Sequence, residues 1–404
     1  MNRKKKYFVL AISFGLMLFS FLNVAAQETS KSLIVISKDL KWSERMALSI
    51  MKRAPKAWQI DNNDKPKWDY KLGLVMTAFE NLYQKTKNPV YENYIRDYYE
   101  TVISNSGEIT NYKLEDYNID YINAGKTLFD LYKQTNDSRF LTAIKQLRKQ
   151  LETHPRTNSG GFWHKKIYPN QMWLDGLYMG TPFYARYTFE FNNGKDFNDI
   201  VKQFEQIYLH TLDKKTGLLF HAWDESKKME WANKETGTSP NFWSRSIGWY
   251  MMALVDVLDY MPKEHPKRKE LIEYLNEISK AVAKYQDVSG LWYQVTDAGN
   301  RKGNYLEASG SEMFIYAFAK GVKKGYLPAS YKKLAVKGFE AVIKDLVKVD
   351  DDGEIHITQV CASAGLGGNP FRDGSYEYYI NEKIKVDNSH GLGPFILAAI
   401  ELEK

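Results

Sequence analysis

The residues best suited to acid/base chemistry lie in one aromatic-rich segment, residues 170–179. Asp175 has tryptophan, methionine and tyrosine side chains around it in this segment. A carboxyl group in such poorly solvating surroundings has a raised pKa and can hold a proton near neutral pH. On a helix, Asp175 would share a face with Met172, Tyr178 and Met179. We therefore predict a mostly buried acid/base residue, and the alternative is a surface or capping aspartate.

A second acidic residue, Asp120, lies where an aromatic-rich helix is predicted to begin, in residues 117–123. An aspartate at this position fits the N-cap of a helix, whose free backbone N–H groups it would bind. It also fits a second carboxylate at the site of Asp175. The residues alone leave both interpretations open.

Residues 241–249 combine a guanidinium with indole rings. Arg245 and Trp249 are four residues apart, which places them one helical turn from each other. Together they offer a fork for a carboxylate beside a flat platform for a sugar ring. The alternative is an arginine stacked on a tryptophan for packing only.

Two histidines, His164 and His221, occupy equivalent positions in two copies of a glycine-containing motif, and we expect them on the same rim of the fold. No histidine pair has the spacing of metal ligands, and Cys361 is the only cysteine, so we predict no metal and no cofactor. The glycine-rich residues 362–368 lack the lysine and hydroxyl residue that end a phosphate loop, which favours a lid or rim loop.

The segments that carry these residues have the 3.6-residue periodicity of helices, and sustained strand alternation is nearly absent. Asn88-Pro89 and Ser239-Pro240 each pair an N-cap residue with proline at the first helical position. The second of these starts precedes a predicted helix over 242–258. Further helices are predicted over 70–86, 119–134, 138–151, 172–190, 198–212, 268–285, 312–324 and 329–347.

A short motif recurs between these helices, which we call the glycine-turn motif: a small polar residue, a glycine and a short β-prone stretch. Its five copies begin at Ser106, Ser159, Thr216, Ser289 and Asp352. The spacing, roughly 55 to 75 residues, accommodates one helical hairpin with its loop. About six such hairpins can close into an all-α (α/α)6 barrel with short β-turn loops on one rim. An open superhelix is the alternative, and different reactive residues in each repeat favour closure around one pocket.

Residues 1–26 have the layout of a secretory signal peptide. Basic residues at positions 3–6 precede an apolar run over 7–22 and small residues at 24–26. The apolar run is short for a membrane anchor, which is the alternative. No cysteine stands at the expected cleavage point, so we expect no lipid anchor. The prediction is a secreted or periplasmic protein in which residues 27–404 form one catalytic domain.

The charge and the aromatic content restrict the partners. Four basic residues in the predicted signal peptide account for more than half of the net +7 charge. Lysine and glutamate are interspersed in the rest of the chain without a basic block, so we expect neither nucleic acid nor a membrane as partner. The 28 tyrosines and 10 tryptophans suit an oligosaccharide, because their flat rings match both the C–H faces and the hydroxyl edges of sugars.

Five segments together resemble the family-105 glycoside hydrolases, the unsaturated rhamnogalacturonyl hydrolases, which are related to the family-88 unsaturated glucuronyl hydrolases. These segments are residues 172–179, 221–224, 242–249, 363–368 and 372–379. The resemblance extends over nearly all of residues 27–404. It implies an (α/α)6 barrel that removes a terminal 4,5-unsaturated uronic acid from oligosaccharides left by polysaccharide lyases. The usual substrate of the family is unsaturated galacturonyl-rhamnose, and related enzymes accept unsaturated glucuronyl saccharides.

The resemblance also implies roles for individual residues. Asp175 would protonate C4 of the unsaturated sugar and then take a proton from the water that adds to C5. Asp120 would hold the sugar, and its nearby charge would help to keep Asp175 protonated. The substrate-binding residues implied by the resemblance are Tyr70, His164, His221, Trp243, Arg245 and Trp249. The uronate carboxylate is expected to face Arg245 or a histidine.

Three other functions fit parts of the pattern. An inverting glycosidase would use Asp175 as acid and Asp120 as base on saturated glycosides. An epimerase or isomerase on the same barrel would alter a free sugar without cleaving a bond. A non-catalytic glycan-binding protein of helical repeats would do neither. Only the hydration reaction would remove the conjugated double bond of an unsaturated substrate.

Overall fold

A computed structural model describes the chain from Val35 to Glu403. The predicted signal peptide, residues 1–26, lies outside the described residues. Within the described range, no helix combines the length and the apolar composition needed to cross a bilayer. The residues from Ser37 onward form one compact unit.

Helices dominate this unit, and they are numbered here in chain order. They are α1 (Trp42–Arg53), α2 (Tyr70–Thr86), α3 (Pro89–Val102), α4 (Asp120–Asn123), α5 (Leu128–Thr135), α6 (Ser138–Thr153), α7 (Leu174–Phe191), α8 (Phe197–Thr211), α9 (Ser244–Tyr260), α10 (Arg268–Lys284), α11 (Ala308–Lys323), α12 (Tyr331–Ala341), α13 (Tyr376–Asn381) and α14 (Ser389–Leu402). A 3-10 turn, Ala124–Thr127, joins α4 to α5.

The helices form two concentric layers. The inner layer consists of α2, the α4–α5 pair, α7, α9, α11 and α14, each packed against the next, and α14 packs against α2 to close the ring. The outer layer places α3, α6, α8, α10, α12 and α1 behind these inner helices. This arrangement confirms the predicted (α/α)6 barrel, and the open superhelix is wrong.

The sequence explains which helices are inside. In α9 nearly every side chain is buried, as expected for a helix surrounded by others. In the outer helix α10 the buried side chains are restricted to one stripe, and the opposite face carries lysines and glutamates. The amphipathic helices therefore cover the apolar ring and face solvent.

The glycine-turn motifs follow the outer helices as tight turns. Their five glycines all adopt positive φ, from 80° at Gly217 to 110° at Gly290. Residues with a Cβ rarely adopt this conformation, which explains the recurrent glycine. The strands are equally short and pair as antiparallel ribbons: β1 (Gln171–Trp173) with β2 (Ala222–Asp224), β3 (Val347–Val349) with β4 (Ile355–Ile357), and β5 (Val360–Cys361) with β6 (Ile384–Lys385).

Most predicted helices agree with the structure. The helix over 70–86 has the predicted bounds. The Asn88 side chain caps α3 by accepting a hydrogen bond from the Val90 N–H at 3.1 Å. The helix predicted over 119–134 is interrupted by the 3-10 turn, and that predicted over 329–347 begins at Tyr331 and becomes a π-helix over Val342–Leu346.

Three predicted helix starts were wrong. Met172 lies in β1, where it pairs with Trp223, so it does not share a helical face with Asp175. Ser239-Pro240 does not begin a helix, because Ser239 pairs through its backbone N–H with the Ala222 carbonyl and α9 begins only at Ser244. Helix α11 begins at Ala308, before the predicted residue 312, because the Glu307 side chain caps it through the Gly310 N–H at 2.7 Å.

Candidate active site

The predicted reactive residues converge at one mouth of the barrel. Four of them lie in the first turn of an inner helix: Tyr70 and Asp120 begin α2 and α4, and Asp175 and Arg245 are the second residues of α7 and α9. The inner helices thus direct their N termini toward a common opening. The partial positive charge at helix N termini favours a negatively charged ligand there.

Asp175 follows directly on the β1–β2 ribbon, which holds the start of α7. Its side chain is 14% exposed, so it is mostly buried, as predicted. The Asp175 Oδ2 atom lies 3.1 Å from the His221 Nε2 atom. Neither atom has a hydrogen-bond partner of good geometry among the described residues, although both are shielded from solvent. Buried polar atoms without partners are uncommon, and here they leave two groups ready to bind a substrate or water.

His221 is enclosed by aromatic residues. Its Nδ1 atom lies 2.7 Å from the hydroxyl of Tyr379. The imidazole packs against Trp243 with ring centroids 4.9 Å apart, and against the edge of Trp173 at 5.4 Å. Because the ring is fully buried, its orientation is set by these neighbours.

Asp120 is buried beside two basic side chains. Its Oδ2 atom lies 2.7 Å from the Lys165 Nζ atom, and its Oδ1 atom lies 3.4 Å from the His164 Nε2 atom. Burial by itself would raise the pKa of Asp120, but the charges of Lys165 and His164 outweigh it and lower the pKa below its usual value. Asp120 makes no N-cap hydrogen bond, so the capping interpretation is wrong.

His164 lies beside Asp120 as His221 lies beside Asp175, so the two equivalent histidines do share a rim. The His164 ring stacks on Trp173 with centroids 4.4 Å apart. Burial lowers its pKa to about 4, despite the nearby carboxylate. A Cβ on Gly176 would lie 3.2 Å from His164 Nδ1, so this glycine makes room for the ring.

Arg245 is fully buried and well anchored. Its Nε atom donates to Ser309 Oγ at 2.7 Å, and its guanidinium lies 3.5 Å from the Glu307 carboxylate. A second nitrogen, Nη2, donates to the Cys361 carbonyl. The Arg245 charge is therefore already compensated within the protein.

The prediction that Arg245 and Trp249 lie side by side, based on their spacing, was wrong. The guanidinium lies over the ring of Trp243, 5.1 Å from its centroid. The Trp249 ring instead stacks on Tyr178 at 4.8 Å and is 1% exposed. Trp249 therefore belongs to the packed layer beneath the mouth, and its contact with substrate stays a prediction.

The Tyr70 hydroxyl lies 2.9 Å from the Nε2 atom of His390, at the start of α14. The Nδ1 atom of His390 lies 2.7 Å from the Asn388 side-chain oxygen. Because that oxygen accepts a hydrogen bond, Nδ1 carries the proton and Nε2 accepts from Tyr70. Burial and the charge of Arg245 lower the pKa of His390 well below its usual value, so it is neutral.

Four residues at this mouth were missed by the sequence reasoning: Lys165, His390, Tyr379 and Arg372. Lys165 directly follows His164 in its glycine-turn motif, and this position was the available signal. His390 follows the N-cap Asn388. Tyr379 and Arg372 stood in a segment that contributed only to the family resemblance. Among residues 35–403, no group of His, Cys, Asp and Glu side chains is arranged to hold a metal ion.

Comparison with known proteins agrees with this fold. The family model described as Glycosyl Hydrolase Family 88 matches residues 42–404. A solved glycoside hydrolase from family 105 of C. acetobutylicum ATCC 824 is 46% identical and superimposes with a TM-score of 0.87, covering 90% of this chain and 99% of that one.

Two curated proteins are also similar. Protein Atu3128 of Agrobacterium fabrum (strain C58) is 34% identical over 229 residues, which are 55% of this chain and 97% of that protein. The unsaturated rhamnogalacturonyl hydrolase YesR of Bacillus subtilis (strain 168) is 26% identical over 294 residues, which are 71% of this chain and 78% of that protein.

Proposed function

The chain matches the Glycosyl Hydrolase Family 88 model over residues 42–404 and belongs to the family-105 glycoside hydrolases. From this premise we propose that it removes a terminal 4,5-unsaturated uronic acid from oligosaccharides by hydrating the double bond. The observation that carries the proposal is the pair of Asp175 Oδ2 and His221 Nε2. These two buried atoms, 3.1 Å apart, lack aligned hydrogen-bond partners. A water or sugar oxygen beside the pair, within hydrogen-bond distance of each atom, would satisfy both.

The proposed reaction begins with transfer of the Asp175 proton to C4 of the unsaturated sugar. Positive charge then develops at C5, and a water adds there while Asp175 takes one of its protons. The hemiketal formed at C5 opens by cleavage of its bond to the ring oxygen. The resulting hemiacetal at C1 releases the remaining saccharide as an alcohol and leaves a keto-uronate aldehyde. Asp175 ends the cycle with the proton it began with.

Asp120 is better suited to hold the sugar than to act as a second base. Its carboxylate forms a 2.7 Å ion pair with Lys165, which stabilises the ionised form and makes it a weak proton acceptor. An inverting glycosidase needs a carboxylate that removes a proton from water. The ion pair therefore favours hydration by Asp175 over the inverting alternative.

A uronyl substrate also needs a cation for its carboxylate, and we assign this role to Arg372. Arg245 is compensated by Glu307 and Lys165 by Asp120, whereas Arg372 has no carboxylate within 4.0 Å among residues 35–403. Arg372 donates to the carbonyls of Leu366 at 3.0 Å and Gly367 at 2.8 Å.

Further contacts of Arg372 support this assignment. Its Nη2 atom donates to the Tyr168 hydroxyl at 2.9 Å, and the Tyr168 ring stacks on Trp173 at 5.1 Å. A Cβ on Gly365 would lie 2.3 Å from Arg372 Nη1 and 3.3 Å from the Trp173 ring, so this glycine leaves room for both groups. Arg372 is thus linked through Tyr168 to Trp173, which contacts both His164 and His221.

The first experiment supplies purified protein with unsaturated disaccharides from pectin, glycosaminoglycan and ulvan lyase digests. Unsaturated galacturonyl-rhamnose is tested first, because the Bacillus subtilis relative is named for that class. We expect steady loss of the double bond's ultraviolet absorbance. Asp175→Asn should lower kcat by about 10² to 10⁴ while the substrate still binds.

The matched control is Asp351→Asn, at an exposed position, which should leave the rate unchanged. Release of sugar from saturated glycosides with the absorbance retained would instead establish the inverting glycosidase. No loss of absorbance with any unsaturated substrate would refute the proposal.

Arg372→Gln tests the carboxylate assignment separately. A hydrogen bond to a charged group contributes about 1.5–3 kcal/mol, so kcat/KM should fall roughly ten- to hundredfold, mainly through KM. Arg301→Gln is the control, because Arg301 is half-exposed and already paired with Glu377. Equal effects of the two substitutions would remove Arg372 from the site.

Export from the cytoplasm, to the periplasm or the medium, is part of the proposal and rests on residues 1–26 alone. A substrate produced by polysaccharide lyases is consistent with such a location. N-terminal sequencing of the protein isolated from its cells tests this, and an intact Met1 or the retention of residues 1–26 would contradict it.

A further inference from the structure

Tyr379 contacts His221 on the side away from Asp175. Its hydroxyl lies 2.7 Å from the His221 Nδ1 atom, and both side chains are fully buried. Tyr379 has no role in the catalysis or substrate binding proposed above.

The donors and acceptors around the Tyr379 hydroxyl determine the direction of this hydrogen bond. Burial raises the pKa of Tyr379 well above its usual value, so the hydroxyl keeps its proton. Among the described residues, His221 Nδ1 is the one acceptor within hydrogen-bond distance of that hydroxyl. The opposite direction would leave a buried O–H without an acceptor, at a cost of about 1–3 kcal/mol. Tyr379 therefore donates, and Nδ1 carries no proton.

We propose that Tyr379 is a positioning residue that fixes His221 in the tautomer whose proton is on Nε2. The consequence at the reaction centre rests on the proposed function. With this tautomer an N–H donor lies 3.1 Å from Asp175 Oδ2, although the two are not aligned for a direct hydrogen bond. With the other tautomer an unprotonated nitrogen would face Asp175 and compete for the proton that Asp175 must deliver to C4. The Tyr379 hydroxyl prevents this competition.

The surrounding structure holds Tyr379 in place. Helix α13, which carries it, is capped by Ser375, whose hydroxyl oxygen accepts from the Tyr378 N–H at 3.0 Å. The Gln294 side chain donates to the Tyr379 carbonyl at 3.1 Å and accepts from Trp243 Nε1 at 3.1 Å. Gln294 thus links Tyr379 to Trp243, and both aromatic rings pack against His221, with centroids 6.0 Å and 4.9 Å from it.

The direct test is the ¹⁵N NMR spectrum of the intact protein labelled at histidine, with His221 assigned by substitution. In the unmodified protein we expect the signature of the Nε2–H tautomer at neutral pH. In Tyr379→Phe we expect a mixture of tautomers or the Nδ1–H form. This measurement does not depend on activity.

Kinetics provide the second readout. Loss of one neutral hydrogen bond, about 0.5–1.5 kcal/mol, should lower kcat by about three- to tenfold with KM changed less than twofold. The control is Tyr376→Phe on the same short helix, because the Tyr376 hydroxyl donates to the carbonyls of Arg301 and Lys302 and not to a histidine. It should change neither the tautomer nor kcat.

An Nδ1–H signature in the unmodified protein would overturn the proposal, and so would an unchanged tautomer in Tyr379→Phe. If Tyr379→Phe does not fold, the spectrum of the unmodified protein still decides the tautomer. If no unsaturated uronyl substrate is consumed, the proposed function fails, while the assignment of the tautomer is judged by NMR alone.

Discussion

Two of the basic side chains at the mouth of the barrel, unlike Arg372, are each compensated by a carboxylate. Lys165 neutralises Asp120 at 2.7 Å, and Glu307 neutralises Arg245 at 3.5 Å. An unpaired buried charge would be strongly destabilising, so these pairs allow a dense polar site in the barrel. The surroundings of Asp175 differ from these ion pairs. Its neighbour His221 is oriented by a hydrogen bond with the Tyr379 hydroxyl and not by a charged side chain.

Lys165→Gln should change the pH dependence of the reaction. Burial raises the pKa of Asp120 and the Lys165 charge lowers it, so the pKa of Asp120 should rise when that charge is removed. If Asp120 must be ionised to hold the sugar, the acid limb of the kcat/KM profile moves to higher pH and the rate recovers on the alkaline side. A loss of at least about tenfold is expected on the acid side, where the substituted site is protonated first.

The measurement is kcat/KM across the acid and neutral range for Lys165→Gln and for Lys166→Gln. Lys166 is the exposed neighbour and should leave the profile in place. An acid limb at the same pH in both variants would show that Lys165 does not control Asp120.

At the scale of elements, close helix contacts position the reactive residues. A Cβ added to Gly73 in α2 would lie only 2.4 Å from the Ala124 Cα atom. Ala124 directly follows α4, which carries Asp120, so this contact sets the distance between the first two inner members of the ring. A backbone atom is the obstacle, and a side-chain rotation therefore does not relieve it.

Gly73→Ala should lower the free energy of unfolding by about 1–3 kcal/mol through overpacking, despite alanine's higher helix propensity. Urea titration followed by circular dichroism measures this. The control, Gln84→Ala, replaces an exposed side chain of the same helix and should stay within about 0.5 kcal/mol of the unmodified protein. A stabilised Gly73→Ala would mean that α2 can move away from Ala124 freely.

At the scale of the whole molecule, the two ends of the described range complete the barrel. The last helix, α14, is an inner helix, and α1, from the beginning of the described chain, covers it from outside. Glu403 binds the start of α1 by accepting from the Ser43 N–H at 3.0 Å and the Ser43 hydroxyl at 2.6 Å. The sixth hairpin is therefore assembled from two segments that are distant in sequence, with Ser43 and Glu403 360 residues apart.

Strand β4, which contacts α1, carries a histidine that lies among carboxylates. His356 in β4 lies 2.5 Å from Asp387 through Nδ1 and 3.2 Å from Asp350 through Nε2. Burial alone would lower the pKa of His356, but the hydrogen bonds to these carboxylates outweigh it and raise the pKa. A raised pKa stabilises the fold fully below the unfolded value of about 6.5 and loses that effect as pH rises through the folded value.

His356→Gln should therefore cost more stability at acid than at alkaline pH, with a difference of about 1 kcal/mol. The measurement is the free energy of unfolding on both sides of neutrality. His265→Gln is the control, because burial and Lys267 lower the pKa of His265 and reverse the sign. A pH-independent difference for His356→Gln would contradict the assigned ion pairs.

Features that depend on neighbours in the chain were predictable from the sequence. Helix α2 has its predicted bounds, and Asn88 caps α3, because periodicity and capping act within one or two turns. The glycine-turn motif identified the hairpin period for the same reason, since a positive φ is a property of one residue. The apolar run around Asp175 correctly indicated that it is mostly buried.

Only the tertiary structure decided how the polar groups pair. His221 and Tyr379 are 158 residues apart, and Tyr70 and His390 are 320 residues apart. The closure of the ring brings such residues together, and no local signal encodes it. A nonlocal interaction also outweighed a local preference at Ser239-Pro240. This pair has the residues of a helix start, but the Ser239 N–H donates to the Ala222 carbonyl instead. The sequence specifies each side chain, but the closure of the barrel decides which side chains become hydrogen-bond partners.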